Sequence, residues 1–208
     1  PGTPLRRQRV SDQQQQQLIA RQQRQALEYR RDLAGRQSMA DRRGVQLQQQ
    51  RRMAQHRYEV EYFERLRRQQ ARLDAQRHDY ARDPYFQAPS IYRYSYGGYA
   101  HDTNRYGADV LRQAVNNGYE TGVRVGRADR MDGWRPDYLG SYAYQDANYG
   151  YDGYYVSQAD YNYYFRQGFR RGYEDGYYGR DRYGRHDDNS ASILAAVLAV
   201  ILNLQPLL

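Results

Sequence analysis

Hydrophobic residues are sparse in this chain, and three spacings follow one another along it. From Leu5 to Asp83 there is no proline, and Gln, Arg, Ala, Leu, Met and Glu dominate. These residues favour helix, so the segment predicts one long helix stopped by Pro84. Gly35 and Gly44 are the expected interruptions, each costing about 1 kcal/mol relative to alanine. Ile19, Ala26, Leu33, Ala40, Leu47 and Ala54 recur every seven residues, as one seam position of a coiled coil does. The partner positions, Gln22, Tyr29, Arg36, Arg43 and Gln50, are too polar for a second seam. Tyr62, Phe63, Leu66, Leu73 and Tyr80 make a better stripe further on. The pattern favours a solvated helix packed along one narrow edge, with a coiled coil as the competing reading.

The second spacing is four. Shifting the chain by 54 residues lays residues 111–122 on 165–176 with six of twelve positions identical, which points to a duplicated unit. On a helix, residues four apart share a row. In the first copy Leu111, Val115, Tyr119 and Val123 form a bulky ridge beside a groove of Ala114, Gly118, Gly122 and Gly126. In the second copy Tyr161, Phe165, Phe169, Tyr173 and Tyr177 form the ridge, and Gly168, Gly172 and Gly176 the groove. Such a glycine zipper lets two backbones approach closely, and rows of four packed into each other favour a crossing near −50°. Three glycines in a helix cost roughly 2.5 to 3 kcal/mol of helix propensity, so close packing must return that much. Ser157 with Asp160 resembles an N-terminal cap, Gly179 a C-cap, and Asp109 lies near the start of the first copy. Arg170 with Glu174 and Arg171 with Asp175 read as surface pairs four apart. Whether ridge meets groove within one chain or between chains stays open.

The third pattern is an apolar run from Ser192 to Leu202, continuing past Asn203 to Leu208. A membrane span needs about 20 apolar residues, so a packed C-terminal helix is favoured over membrane contact at residues 191–208. Ala191, Ala195 and Ala199 suggest a third small-residue face on it.

Composition adjusts this picture. The chain has 208 residues, 39% of them hydrophobic, and 25 are tyrosines, which suit surfaces and interfaces better than a deep core. There is no lysine, so every basic residue is arginine, a partner for carboxylates, phosphates and aromatic rings. Residues 1–82 carry 19 Arg against 9 acids, and the remainder 13 against 15, so the net charge of +8 resides in the N-terminal arm. That arm makes nucleic acid or another anionic polymer an alternative partner at residues 1–82. The Tyr/Gly/Asp/Asn segments 84–106 and 130–156 read as loops or ribbons.

Chemistry is thin. The absence of cysteine excludes disulfides and thiolate sites. His56, His78, His101 and His186 are scattered, and Asp181, Asp187, Asp188 and Asn189 lack the alternation of a calcium loop, so neither metal nor cofactor is expected. No phosphate loop or nucleophile elbow appears, and the chain does not read as an enzyme.

The expectation is therefore a mainly α protein in four parts: a helical arm at 1–83, a connector at 84–106, the duplicated unit at 107–190 and an apolar helix at 191–208. It would assemble with itself or as an accessory subunit of a larger complex. A start at Pro1 rather than methionine suggests removal of an upstream segment, and with the apolar tail it weakly favours an extracytoplasmic or envelope setting.

Overall fold

The computed structural model describes residues 11–35, 37–76, 78–187 and 190–207. Arg36, Asp188 and Asn189, and the side chain of Ala26, lie outside the described residues. The protein is mainly helical, with 64% of it in helix.

The arm comprises three helices: α1 (Asp12–Gly35), α2 (Gln37–Gln49) and α3 (Met53–Ala75). Gly44 lies inside α2 and does not break it. The second break falls at Arg51, a non-glycine residue in the left-handed region with φ 59°. Neighbouring contacts explain that choice. Arg52 is buried, its Nη2 pairs with Asp129 Oδ1 at 2.5 Å, and its guanidinium lies 4.5 Å from the centre of the Trp134 ring. Asp132 accepts the N–H groups of Ala54 and Gln55 at 2.8 Å each, so the start of α3 is capped by a carboxylate from elsewhere in the chain.

Pro84 does not end α3, which stops at Ala75. Asp79 and Asp83 accept backbone N–H groups of Ala81 and Tyr85, offering the chain turns in place of helix. Pro84 instead opens the short α4 (Pro84–Gln87), where a proline lacking N–H fits the first position.

The segment 84–106 contains a β-hairpin, β1 (Tyr92–Tyr96) and β2 (Tyr99–Thr103). Gly97 and Gly98 turn it with φ of 60° and 82°, the conformation that a two-residue hairpin requires. The long helix α5 (Arg105–Met131) follows, then the short α6 (Tyr142–Asp146) within the expected loop, and α7 (Gln158–Tyr178).

The apolar tail is not one helix. Ala191 falls in β4 (Ala191–Ile193), which pairs with β3 (Gly184–His186), so it shares no helical face with Ala195 and Ala199. Helix α8 covers Ala195–Leu202, and β5 (Gln205–Pro206) then joins the free edge of β1 opposite β2. Among the described residues no helix is long and apolar enough to cross a membrane.

One core runs through these elements, from Ala54, Tyr62 and Leu66 through Leu111 and Val115 to Phe169, Ile193 and Leu202. Contrary to expectation, tyrosine supplies much of it: Tyr62, Tyr119, Tyr161, Tyr164 and Tyr173 are fully buried. Phenol is tolerated there because each of these five hydroxyls finds an acceptor. Of the arm's seven-spaced row, Ala54, Leu33 and Ala40 pack on this core, while Ile19 is half-buried and Leu47 buried. The row packs on its own chain.

Candidate functional site

The glycine-grooved helices clasp each other. Their starts are fixed by side chains: Asn104 Oδ1 accepts the N–H groups of Tyr106 and Gly107 at the head of α5, a role Asp109 does not take. Asp109 pairs with Arg112 instead. Ser157 Oγ accepts the N–H of Asp160 at the head of α7, and Gly179, with φ 62°, ends that helix.

Gly118, Gly122 and Gly126 lie against the carbonyl groups of Phe165, Phe169 and Tyr173. Gly168, Gly172 and Gly176 lie against those of Val115, Tyr119 and Val123. At all six positions a Cβ atom would overlap a backbone oxygen of the other helix. Both sets rise together in number, so the helices run parallel. Each contact maps onto its counterpart by adding 50 to the α5 residue and subtracting 50 from the α7 residue, as Gly118 on Phe165 becomes Gly168 on Val115. The packing register therefore differs by one helical turn from the 54-residue repeat.

The closeness is uniform over three successive glycines on each helix, a span of about 12 Å. Helices crossing near −50° would separate beyond the central contact, so the crossing is shallower than four-spaced rows predict. Such backbone proximity suits Cα–H contacts to carbonyl oxygen, which help offset the propensity cost of the glycines.

The ridges fill the sides of the clasp. Leu111, Val115, Tyr119, Val123, Tyr161, Phe165, Phe169 and Tyr173 are buried, as is the groove residue Ala114, while Tyr177 is half-buried. On α7 the rings form a ladder, with centroids 6.4 Å apart from Tyr161 to Phe165, 6.3 Å to Phe169, 6.4 Å to Tyr173 and 5.9 Å to Tyr177.

Buried aspartates complete the arrangement. Tyr119 of α5 donates its hydroxyl to Asp175 of α7 at 2.9 Å, and Tyr173 of α7 donates to Asp129 of α5 at 2.6 Å. Asp175, fully buried, also accepts the N–H groups of Arg182, Tyr183 and Gly184 and so anchors the loop leaving α7. It is therefore no surface partner of Arg171, whose guanidinium lies over the Tyr183 ring. Arg170 lies over Tyr138. The same device fastens other elements: Tyr62 of α3 donates to Asp146 at 3.0 Å, Tyr94 of β1 to Asp160 at 2.7 Å, and Tyr155 to Asp83 at 3.0 Å.

Burial raises these phenols well above their ordinary range at Tyr62, Tyr94, Tyr119 and Tyr173, and the neighbouring carboxylates raise them further. Tyr85 and Tyr164 are pushed up to about 12, chiefly by burial. Burial also raises Asp129, opposed by its bonds from Tyr173 and Arg52. A phenol held protonated on a carboxylate is a rigid link.

Sequence reading missed Asp83, Asp129, Asp146 and Arg52, and it named Asp160 and Asp175 only as a capping partner and a surface partner. No local spacing announces them: of the ridge tyrosines only Tyr173 is followed two residues later by an aspartate.

The histidines serve separate places. His78 contacts Asp83 at 2.5 Å, His186 contacts Asp181 at 2.7 Å, His101 stacks on Tyr94, and His56 adjoins Gly44. Among the described residues no three His, Asp or Glu side chains gather as a metal site. No protein-family model, curated protein or solved structure matches the chain.

Proposed function

We propose that the protein is a structural, non-catalytic assembly protein that associates with itself or joins a larger complex, and that its contact surface is the arm rather than the glycine groove. The groove is filled by the chain's own second helix, so the clasp serves as a rigid platform. The observation carrying this reading is the apolar surface of the arm. Leu27, Met39, Val45, Met53 and Val60 are each about half exposed, at 47% to 53%. Ala40, Val45, Val60 and Phe63 also line a hollow of about 300 Å³ between α2 and α3. Of the five exposed side chains Val45 and Val60 border this hollow, and exposed apolar side chains beside a hollow suit a contact surface.

The basic-arm alternative draws less support. Several of the arm's arginines are engaged internally: Arg30 with Asp74, Arg43 with Glu59 and Arg52 with Asp129. Phosphate binding along the arm would compete with these pairs.

Light scattering of the full chain, with and without detergent, tests the proposal. The expected result is an oligomer that Val60→Glu with Val45→Glu dissociates without lowering the melting temperature of the folded chain. A wild-type monomer throughout the micromolar range overturns self-assembly, and an oligomer indifferent to both substitutions overturns the arm as its surface.

A further inference from the structure

Helix α3 sets Arg65, Arg68 and Arg72 along one face with Gln69 among them, a spacing that places all four side by side. Together with Asn117 of α5 and Tyr149 and Gly150 of the loop after α6, they line an open hollow of about 370 Å³. Its far wall is fixed. Gln69 donates to the carbonyls of Asn148 and Tyr151 and accepts the N–H of Gly150, while Asn117 donates to the Tyr161 hydroxyl.

Arg65 is the unusual member. Its guanidinium carbon lies 5.6, 5.8 and 5.3 Å from the ring centres of Tyr58, Tyr62 and Tyr149. Its Nε and Nη2 are shielded from solvent with no partner in full hydrogen-bond geometry, and its charge bears on the buried Tyr58 hydroxyl, opposing the rise that burial gives that phenol. Unmet donors shielded from water cost free energy even on a half-buried side chain such as Arg65, and such groups need a reason.

Nε and Nη2 form the edge of a guanidinium that takes two oxygens of one oxyanion side by side. Arg93 displays the filled version, with Nε to Asp102 Oδ1 at 2.7 Å and Nη2 to Oδ2 at 3.1 Å. No described carboxylate occupies that edge of Arg65. The flanking arginines do have acidic neighbours: Glu64 pairs with Arg68 at 3.1 Å, and Asp152 lies within electrostatic reach of Arg72. Three guanidiniums against two carboxylates leave a positive hollow centred on Arg65.

We propose that this hollow binds a phosphoryl group, gripped by the Nε and Nη2 edge of Arg65 and by Arg68 and Arg72, with Tyr149 as the wall for the rest of a phosphate ester. Binding turns the Arg65 guanidinium so that its free edge meets the hollow. A phosphoryl group suits the lining better than a carboxylate, because two oxygens occupy the edge and a third remains for the outer arginines. The inference stands apart from the assembly reading, since neither the hollow nor its arginines include the apolar surface of the arm.

Isothermal titration calorimetry on the full chain, with inorganic phosphate and with a nucleoside diphosphate at matched ionic strength, tests it. Saturable binding is expected, weakened at least about tenfold by Arg65→Lys, which keeps the charge but loses the edge, and by Arg68→Ser, which lies on the surface. Arg93→Ser removes the same charge from a filled pair and is expected to leave binding unchanged. Tighter binding of the nucleotide than of phosphate assigns the hollow to esters, and equal binding to the phosphoryl group alone. If circular dichroism shows that Arg65→Lys does not fold, Arg68→Ser decides. Absence of saturable binding for both probes, an undiminished affinity in Arg68→Ser, or an equal loss in Arg93→Ser overturns the proposal.

Discussion

The clasp of α5 and α7 and the first arm helix, α1, are both helical and both carry few aliphatic residues, yet they are held by opposite means. In the clasp, backbone lies on backbone at six glycines, and each flanking tyrosine row is fastened by a buried aspartate. In the arm, Gln22 is the one buried side chain of α1 among the described residues, and contacts such as Arg30 with Asp74 lie at the surface. A helix with three glycines is intrinsically poor and becomes stable only through its partner, whereas a Gln/Arg/Ala helix needs little help to form. Local propensity and tertiary stability are inverted here. The sequence most hostile to helix makes the most deeply packed pair.

The sharpest way to break this contrast is to fill the groove. Gly122→Leu or Gly172→Leu forces a side chain into a backbone carbonyl of the other helix, and a loss of at least about 4 kcal/mol is expected, seen as collapse of the melting transition. Gly44→Ala in the arm has the opposite sign. Its new methyl meets only the end of the His56 side chain, at 3.3 Å, and gains about 0.5 to 1 kcal/mol by denaturant titration.

Removing the fastenings comes next. Tyr119→Phe and Tyr173→Phe each leave a buried carboxylate short of one donor, with an expected loss of about 1 to 3 kcal/mol. Alkaline pH addresses the same bonds together. The buried phenols have raised pKa values in the folded chain, so the native state keeps protons that the unfolded chain releases near pH 10. Stability is fully present below about pH 10 and falls as pH rises, by up to about 1.4 kcal/mol per pH unit for each such tyrosine. Melting temperature against pH, with phenolate absorbance, reads this loss. The smallest effect belongs to the arm: Arg30→Ala breaks an exposed pair and is expected to change stability by less than about 1 kcal/mol.

The helical character and the paired ridge and groove were legible because a four-residue period survives any choice of partner. Their register was not. A row of glycines repeats itself every turn, so residue identity selects a shift of 54 while steric fit selects 50. The aspartates were hidden for another reason: a carboxylate in a polar sequence reads as surface, and only the fold brings Tyr119 to Asp175. The break at Arg51 carries no glycine to announce it, and its position follows from the burial of Arg52 on Asp129. Ala191 misled because spacing was counted across a strand.

The central claim is that ridge meets groove inside one chain. Amide hydrogen exchange measured residue by residue over a range of protein concentrations tests it most directly. The account predicts that amides of α5 from 113 to 126 and of α7 from 165 to 177 exchange only on global unfolding, at least about 100-fold more slowly than those of α1, and independently of concentration. Protection of those two stretches that grows with concentration would contradict it, because the clasp would then form between chains.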